Sequence, residues 1–472
     1  MTDESPRASD QVPYGRGVQA ADEEAGVFPE RIGDAPEGSD KPSEIDPTVA
    51  LPEVDKRLRT IAFDPHRRAR SPDLGARIAA LSAFLAAKVR EITGRSRRRT
   101  HDEQTRFDLA VEALACNLLT LSLVTSDMRL SVPRDAGRLF GKGSGSQVYG
   151  RHFLAVLELM AHPEVALIDQ VIGRHGRNGG RTTVAALPAL ADRLPLGAVQ
   201  WSDFRSAPGG EVLVRKGPKL GKQSTAPILT IRDTDHVRQL RREIERLNGC
   251  LLEAPVEVVA EGDRWTVDPL NRTVRRYFTE GTWMTGGRLF GGFWMNMPRA
   301  DRFRLVRIDG ETVVNVDYDQ LFPRLAYARA LSEPPPGDLY DISGDSSHRK
   351  GWKKLVNAML FAREPMKAWP DETAQHFPTG TKAKAVYAAV TEKHAPIAHL
   401  FWTGIGHRLM FAESNMLVRA LDRLFTMGIP ALPIHDAVIV AQSHGETALD
   451  VLQQTAEDCT GLTAPMVKIE AG

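Results

Sequence analysis

The chain has 472 residues, which is enough for two or three domains with substantial hydrophobic cores. Its net charge of +1 conceals a division, because residues 1–50 contain 12 acidic and 4 basic residues and the remainder carries a net charge of +9. A basic body is typical of proteins that bind a polyanion. No stretch of about 18 apolar residues predicts a membrane span, and the acidic start lacks the basic-then-apolar order of a secretory signal.

The cysteines exclude two further classes of protein. Cys116, Cys250 and Cys459 lie far apart in the sequence and show no metal-ligand spacing. This usage predicts neither a disulfide framework nor a zinc site, and it favours a reducing compartment. We therefore expect a cytoplasmic protein that makes no membrane contact.

Residues 1–54 are rich in Pro, Gly, Ser and acidic side chains and have little apolar periodicity, which predicts a disordered acidic tail. The charge balance reverses over residues 55–100, where arginines and lysines surround an amphipathic run at 78–89. These cations form either the solvated face of a helix or a contact with nucleic-acid phosphates.

Leu, Ala and Val spacing predicts helices over 107–125 and 150–161. Two strand-like runs follow, 166–172 and 182–185, on either side of the basic, glycine-rich residues 173–181. Helices followed by such a hairpin favour a winged-helix-like module whose wing contacts DNA, although an ordinary surface hairpin fits equally well.

A further amphipathic helix is predicted over 236–248. Together these elements define an expected helical, winged-helix-like nucleic-acid-binding region at 55–250. The remaining residues, 251–472, then form the second structured domain.

Two aspartates in that second domain each lie where a buried strand is predicted to end. Asp317 follows a run of three valines and Asn315 at 313–316 and precedes a helix-like spacing of apolar residues. Asp436 lies at the bend between two apolar runs of a predicted hairpin. Two such carboxylates on neighbouring strands are sufficient for magnesium, which prefers one or two carboxylates together with phosphate oxygens and water.

Arg349, Lys353 and Asn357 are spaced at i, i+4 and i+8 between the two aspartates. This spacing places them near one face of a helix, from which the cations can reach a triphosphate. Without the aspartates, the same residues would indicate only a solvated helical face.

These segments resemble, in the same order, those of the family A DNA polymerases. Residues 285–289 and 296–298 are similar to the family's Thr-Gly-Arg-Leu and Asn-Ile-Pro run, and the helix carrying Arg349 resembles the fingers helix that holds the incoming nucleotide. The matches to the family's Asp-Tyr-Ser-Gln-Ile-Glu-Leu-Arg and Val-His-Asp-Glu segments are Asp317, Tyr318, Gln320, Leu321 and Arg324, and His435 and Asp436.

The resemblance implies an α+β fold in which 251–472 form a polymerase palm, built on an antiparallel sheet, with helical fingers. It implies a template-directed DNA polymerase that transfers deoxynucleotides to a primer 3′ end, with a DNA primer-template and deoxynucleoside triphosphates as partners. Asp317 and Asp436 would be the catalytic ligands of Mg²⁺, for which Mn²⁺ is the expected substitute. The implied nucleotide-binding residues are Tyr318, Gln320, Phe322, Arg349, Lys353, Lys354 and Asn357, and the implied nucleic-acid-binding residues are Arg288, Arg324 and His435.

The family's spacing leaves the register of the fingers helix open. It accepts Lys350 and Lys354 as the pair of cations as well as Arg349 and Lys353. The sequence does not choose between these two registers.

Several positions depart from the family pattern. Phe322 stands where the family has a Glu that abuts the sugar of the incoming nucleotide, and an aromatic ring there would exclude a 2′-hydroxyl by its bulk. Ala358 replaces the usual aromatic residue after the fingers Asn, and Ala437 replaces the Glu after His-Asp. These differences indicate a divergent branch, similar to the small polymerase-like proteins of bacterial mobile elements.

Two other classes of function remain open from the sequence. A non-catalytic replication or regulatory factor could retain a polymerase scaffold for nucleic-acid binding. An HD-type phosphohydrolase would need several histidines converging on Asp436. A 3′–5′ exonuclease is not expected, because the only Asp-x-Glu before residue 300 is at 22–24, within the predicted tail.

Overall fold

The computed structural model describes residues 60–94, 97–124, 128–134, 146–173, 182–194, 198–207, 209–219, 226–259, 267–370, 372–463 and 466–471. The predicted acidic tail at 1–54 and the predicted wing residues 174–181 lie outside these ranges. The described part is a mixed α+β structure of helices and small sheets, as expected. None of its helices combines the length and apolarity that a membrane crossing requires.

The N-terminal half contains three long helices against a small sheet. Its elements are β1 (Thr60–Ala62), β2 (Arg67–Ala69), α1 (Pro72–Thr93), α2 (His101–Leu121), β3 (Arg129–Ser131), α3 (Arg151–Ala161), β4 (Ile168–Val171), β5 (Thr183–Ala186), α4 (Pro188–Ala191) and β6 (Phe204–Ser206). The four-stranded sheet has the order β1-β3-β5-β4, and β2 pairs separately with β6.

Local sequence explains why these helices begin and end where they do. Ser71 accepts a hydrogen bond from the backbone N–H of Leu74 at the start of α1, and Gly94 ends that helix in the left-handed conformation. Thr100 and Glu103 form a reciprocal capping box at the start of α2. The predicted helices are present, and β4 and β5 pair antiparallel as the predicted hairpin requires. The wing itself stays a prediction.

The C-terminal half is organised around two sheets. Its elements are β7 (Leu213–Arg215), α5 (Asp235–Glu253), β8 (Val256–Val258), β9 (Val274–Phe278), β10 (Gly286–Gly291), α6 (Arg299–Leu305), β11 (Val306–Ile308), β12 (Val313–Tyr318), α7 (Leu321–Arg329), α8 (Arg349–Phe361), α9 (Ala383–Lys393), α10 (Gly406–Thr426), β13 (Ala431–Ile434), β14 (Ala437–Ala441), α11 (Gly445–Thr460) and β15 (Val467–Glu470). The sheets have the orders β10-β9-β7 and β13-β14-β12-β15, and β8 pairs with β11.

The sheet β13-β14-β12-β15 positions the two aspartates. All its pairings are antiparallel, and β12 lies between β14 and β15. Alternate residues of β12, among them Val314 and Val316, are buried in the core. Strand β14 is buried along its whole length. A strand buried in this way holds its terminal residues firmly in place.

The apolar residues form two separate cores. One core runs from Phe63 to Phe204 and the other from Leu213 to Met466. Helix α5 buries Val237 and Ile244 in the second core, because its apolar stripe faces β9. The division between the cores therefore falls between 204 and 213, before the boundary that we predicted at residue 250.

Candidate active site

Strand pairing brings the two predicted catalytic aspartates together. Asp317, at the end of β12, is the register partner of Ala437, the first residue of β14. Asp436 immediately precedes Ala437, at the bend that joins β13 to β14. Asp317 and Asp436 are 119 positions apart in the sequence, yet they lie at the ends of adjacent strands, which are separated by about 4.8 Å. Both aspartates line one cleft of about 170 Å³.

The bend uses an unusual backbone conformation. His435 has φ of +56°, a left-handed conformation that costs a non-glycine residue free energy. Burial lowers the pKa of His435, and the positive charge of Arg288 lowers it further. The His435 ring therefore favours its neutral form beside the carboxylates.

Asp317 carries an unsatisfied oxygen. Its Oδ1 is buried and has no hydrogen-bond partner among the described residues. Burial, followed by the negative charge of Asp436, raises the pKa of Asp317 to about 7. Lys468 and Lys353 act in the opposite direction. A cation bound beside this carboxyl would favour its ionised form.

The two carboxylates fit a magnesium ion in number and chemistry. The described residues contain no group of three or more His, Cys, Asp and Glu side chains arranged to hold a metal. Magnesium does not require such a cage, since it is commonly held by one or two carboxylates with phosphate oxygens and water. Asp317 and Asp436, at an open cleft, meet that requirement. An HD-type site, which needs several histidines around Asp436, is not found among these residues.

One set of cations on helix α8 lies outside the lining of this cleft but close enough to act on Asp317. Arg349 and Lys353 lie over the ring of Tyr340, at 5.6 and 5.9 Å from its centroid, and the Tyr340 hydroxyl donates to Asn357 Oδ1 at 3.4 Å. The charge of Lys353 also acts on Asp317. The i, i+4, i+8 face that we predicted is therefore directed towards the carboxylates.

The alternative pair of cations, Lys350 and Lys354, lies on a different side of helix α8. Lys354 Nζ lies 3.8 Å from Glu372 Oε2 and donates to the Glu372 carbonyl. After burial, the charges of Lys354 and Lys350 lower the pKa of His376, which follows α8 in the chain. The geometry thus separates the two candidate pairs, with Arg349 and Lys353 on the side of Asp317.

Tyr340 was not predicted, and it is the residue around which this face is arranged. It is 2% exposed, and burial and then the charge of Asp436 raise its pKa. The preceding residues fix its position: Asp338 pairs with Arg349, and Leu339 accepts from His394 and donates its N–H to Gln320 Oε1. Its sequence context, a loop rich in Pro and Gly, carried no signal of this role.

Three predicted residues are placed away from the cleft surface. Tyr318 is 2% exposed and donates its hydroxyl hydrogen bond to the Leu452 carbonyl on α11, because successive strand residues face opposite sides of the sheet. Gln320 begins α7 with φ of +54° and supports Leu339. Arg324 is buried in α7, and burial lowers its pKa. Both side chains are buried, and the assignments of Tyr318 to nucleotide binding and of Arg324 to nucleic-acid binding stay predictions.

Arg288 is held by a carboxylate that we had not identified. Its Nε and Nη2 donate to the two oxygens of Glu413 on α10, at 2.7 and 2.9 Å. Glu413 is fully buried, and burial raises its pKa to about 7 while Arg288 opposes that rise. The Arg288 guanidinium lies 5.8 Å from the Phe322 ring, and Phe322 packs 5.3 Å from Phe361. Phe322 is therefore half-buried at the edge of the site.

Strand β15 adds a second unpredicted group. Lys468 is the register partner of Asp317, and its Nζ lies 3.1 Å from Glu470 and 3.9 Å from Asp319. Glu470 also pairs with Arg299 of α6 at 2.7 Å. The last strand of the chain thus borders the site, although its short sequence showed no catalytic motif.

Comparison with known proteins gives little beyond this geometry. No protein-family model matches the chain, and no curated protein matches it. Among solved structures, the chain is similar to the POL domain of Pol1 from M. smegmatis in complex with DNA primer-template and dNTP, at 12% identity with a TM-score of 0.30. The match covers 50% of this chain and 50% of that one, so the chain spans about half the length of the structure that it matches. A TM-score of 0.30 is too low to support an argument, so the conclusions about fold and function rest on the residues described above.

Proposed function

We propose that this chain is a template-directed DNA polymerase that transfers deoxynucleotides to a primer 3′ end. The observation that carries the proposal is the placement of Asp317 beside Asp436 at one cleft, with Arg349 and Lys353 directed towards it. Phosphoryl transfer depends mainly on positioning and on neutralising charge, and this arrangement supplies both.

In this proposal Asp317 and Asp436 hold Mg²⁺, with Mn²⁺ as the substitute. The metal would supply neutralisation of phosphate charge and activation of the primer hydroxyl. The unsatisfied Asp317 Oδ1 and the raised pKa of Asp317 support the assignment, because a carboxylate pair of this kind gains stability from a shared cation.

Lys353 and Arg349 bind the triphosphate from the opposite side. Asp338 holds Arg349 in its orientation, and Tyr340 supports both cations from beneath. Arg288, held by Glu413, lies beside Phe322 and is assigned to the primer-terminal region. Because the only Asp-x-Glu before residue 300 lies at 22–24, within the predicted tail, we also propose that the chain has no 3′–5′ exonuclease.

Primer extension tests the function directly. Purified protein is incubated with a primed DNA template or a primed RNA template, four deoxynucleoside triphosphates, and Mg²⁺ or Mn²⁺. We expect extension by the wild type and by Asp309→Asn, which changes an exposed carboxylate in the turn before β12. Asp317→Asn is expected to abolish extension while leaving nucleic-acid binding nearly intact.

The same experiment separates the competing function. Nucleic-acid binding without extension under every condition would contradict the polymerase and favour a non-catalytic factor that retains the scaffold. Extension that survives Asp317→Asn would contradict the assignment of the site.

A further inference from the structure

The outer face of the sheet β10-β9-β7 combines an exposed and a half-buried aromatic ring with cations. Phe290 on β10 is 37% exposed, and its ring meets that of Tyr277 on β9 edge to face, with centroids 5.1 Å apart. Lys216 Nζ lies 5.3 Å from the centroid of the Tyr277 ring. Arg275, the register partner of Phe290, is exposed.

Strand pairing places these groups on one surface. In an antiparallel pair, register partners lie on the same face of the sheet, and alternate residues of each strand share that face. Phe290 pairs with Arg275, and Arg288 pairs with Tyr277. The opposite face carries Val274, Phe278 and Leu289, which are buried in the second core. The aromatic rings are thus on the face opposite Val274, Phe278 and Leu289, and on the face of the rings Val214, the register partner of Tyr277, is buried.

This face is continuous with the candidate active site. Arg288 is the register partner of Tyr277, and its guanidinium also lies beside Phe322 at the edge of the site. The described strands β7, β9 and β10 contain no acidic residue, and two of their arginines, Arg275 and Arg288, lie on this face, with Arg288 paired to Glu413. A positively charged surface of this kind complements a polyanion that leads to or from the cleft.

We propose that this face binds an unpaired nucleic-acid strand, with bases stacking on Tyr277 and Phe290 and phosphates contacting Lys216 and Arg275. Proteins commonly hold single strands on aromatic rings flanked by cations. Each unpaired base offers a face for stacking on such a ring, whereas the bases of a duplex are already stacked on one another. The inference rests on the proposed function in taking nucleic acid as the partner, and it adds the form of nucleic acid and its location.

The test measures binding by the full chain to fluorescent oligonucleotides of about 16 residues, a length suited to a single-strand site. Single-stranded DNA, single-stranded RNA and blunt duplex DNA are compared by anisotropy, with EDTA present and without nucleotide. The variants are Tyr277→Leu, Phe290→Leu and Arg275→Gln. The matched control is Phe425→Leu, the same change at a half-exposed ring on α10, outside this sheet.

Each aromatic substitution is expected to weaken binding of the preferred single strand by about ten-fold, because loss of one stacked base costs about 1–3 kcal/mol. Duplex binding and the Phe425→Leu control should change little. Arg275→Gln, at an exposed position where folding is not at risk, should lower the salt dependence of binding by about one unit of slope. The DNA and RNA arms decide which strand is the natural one.

Unchanged single-strand affinity in both aromatic variants would overturn the proposal, as would an equal loss for single strands and duplex. A change in oligomeric state in place of a change in binding would assign the face to another copy of the chain and would also overturn it. Because neither metal nor nucleotide is present, failure of primer extension leaves this result interpretable: single-strand binding by an inactive protein supports this inference and contradicts only the polymerase.

Discussion

Asp317 is the residue at which burial and like charge act together. Its Oδ1 has no hydrogen-bond partner among the described residues, and Asp436 lies across the strand pairing. Residues at functional sites are often held in an environment that opposes their own charge, because the ligand relieves that opposition. The protein without metal should therefore be less stable with Asp317 ionised than with it protonated.

The first prediction concerns this pH dependence. The pKa of Asp317 is raised from 3.8 to about 7 in the folded chain, so between these values the folded state binds the proton more tightly than the unfolded state. The stability due to this group is then present below about pH 4 and is lost as pH rises towards 7. In EDTA, Asp317→Asn should raise the melting temperature by a few degrees at pH 8, at about 2–4 °C per kcal/mol, and should change it little at pH 4.

Thermal unfolding with and without metal checks the prediction. Mg²⁺ should raise the melting temperature of the wild type at pH 8 but not that of Asp317→Asn. A variant that is no more stable than the wild type in EDTA at pH 8 would contradict the account of the buried charge.

Phe322 provides the second prediction at the scale of one residue. Its ring lies between Phe361 and the Arg288 guanidinium, at the edge of the site. In the proposed function, a ring there would exclude a ribose 2′-hydroxyl by steric clash alone, because it accepts no conventional hydrogen bond. Phe322→Ala should increase incorporation of ribonucleotides relative to deoxynucleotides, with a change in relative activation free energy on the order of 1–4 kcal/mol.

Competition between matched triphosphates measures this ratio. Phe322→Glu introduces the residue that family A polymerases carry at this position and should retain the preference for deoxynucleotides. An unchanged ratio in Phe322→Ala would show that the sugar is recognised elsewhere.

At the scale of elements, the two faces of helix α8 have different surroundings, although the sequence made each of them an equal candidate for binding the triphosphate. Arg349 and Lys353 contact Tyr340, whereas Lys354 contacts Glu372. The third prediction follows: Lys353→Ala should weaken nucleotide use by about 10- to 100-fold in kcat/KM, since a hydrogen bond to a charged group contributes about 1.5–3 kcal/mol. Lys354→Ala is the matched control, and its nucleotide dependence should resemble that of the wild type.

Steady-state kinetics on a primed template, with the nucleotide concentration varied, distinguish the two lysines. Stability should change little in either variant, because both side chains are at least partly exposed. A larger defect in Lys354→Ala than in Lys353→Ala would assign the triphosphate to the other face of the helix.

The elements also show what the sequence could and could not predict. Asp317 and Asp436 were singled out because one follows an apolar run and the other lies at the bend between two apolar runs, and local patterns of that kind are visible in the sequence. Tyr340, Glu413 and Lys468 were missed, because their roles come from contacts between distant segments and not from their neighbours in the chain. The register of α8 was undecided for the same reason.

At the scale of the whole molecule, a buried ion pair connects the two cores. Arg67 on β2 is 1% exposed and pairs with Asp268, just before β9, while its Nη1 donates to Thr120 Oγ1 at 2.7 Å. Leu270, two residues further on, packs against the first core. The segment just before β9 is therefore joined to the first core by polar as well as apolar contacts.

The last prediction concerns that pair. Arg67→Ala should lower the free energy of unfolding by about 3–5 kcal/mol, because it leaves the Asp268 carboxylate poorly solvated and without its cation. Arg77→Ala, which breaks an exposed pair with Asp73 one turn earlier in α1, should cost no more than about 0.5 kcal/mol. Urea denaturation measures both. The double variant Arg67→Met/Asp268→Leu should recover much of the loss, since it removes both charges together. A double variant as unstable as Arg67→Ala would mean that Arg67 acts through Thr120 and the surrounding packing, and not through its pairing with Asp268.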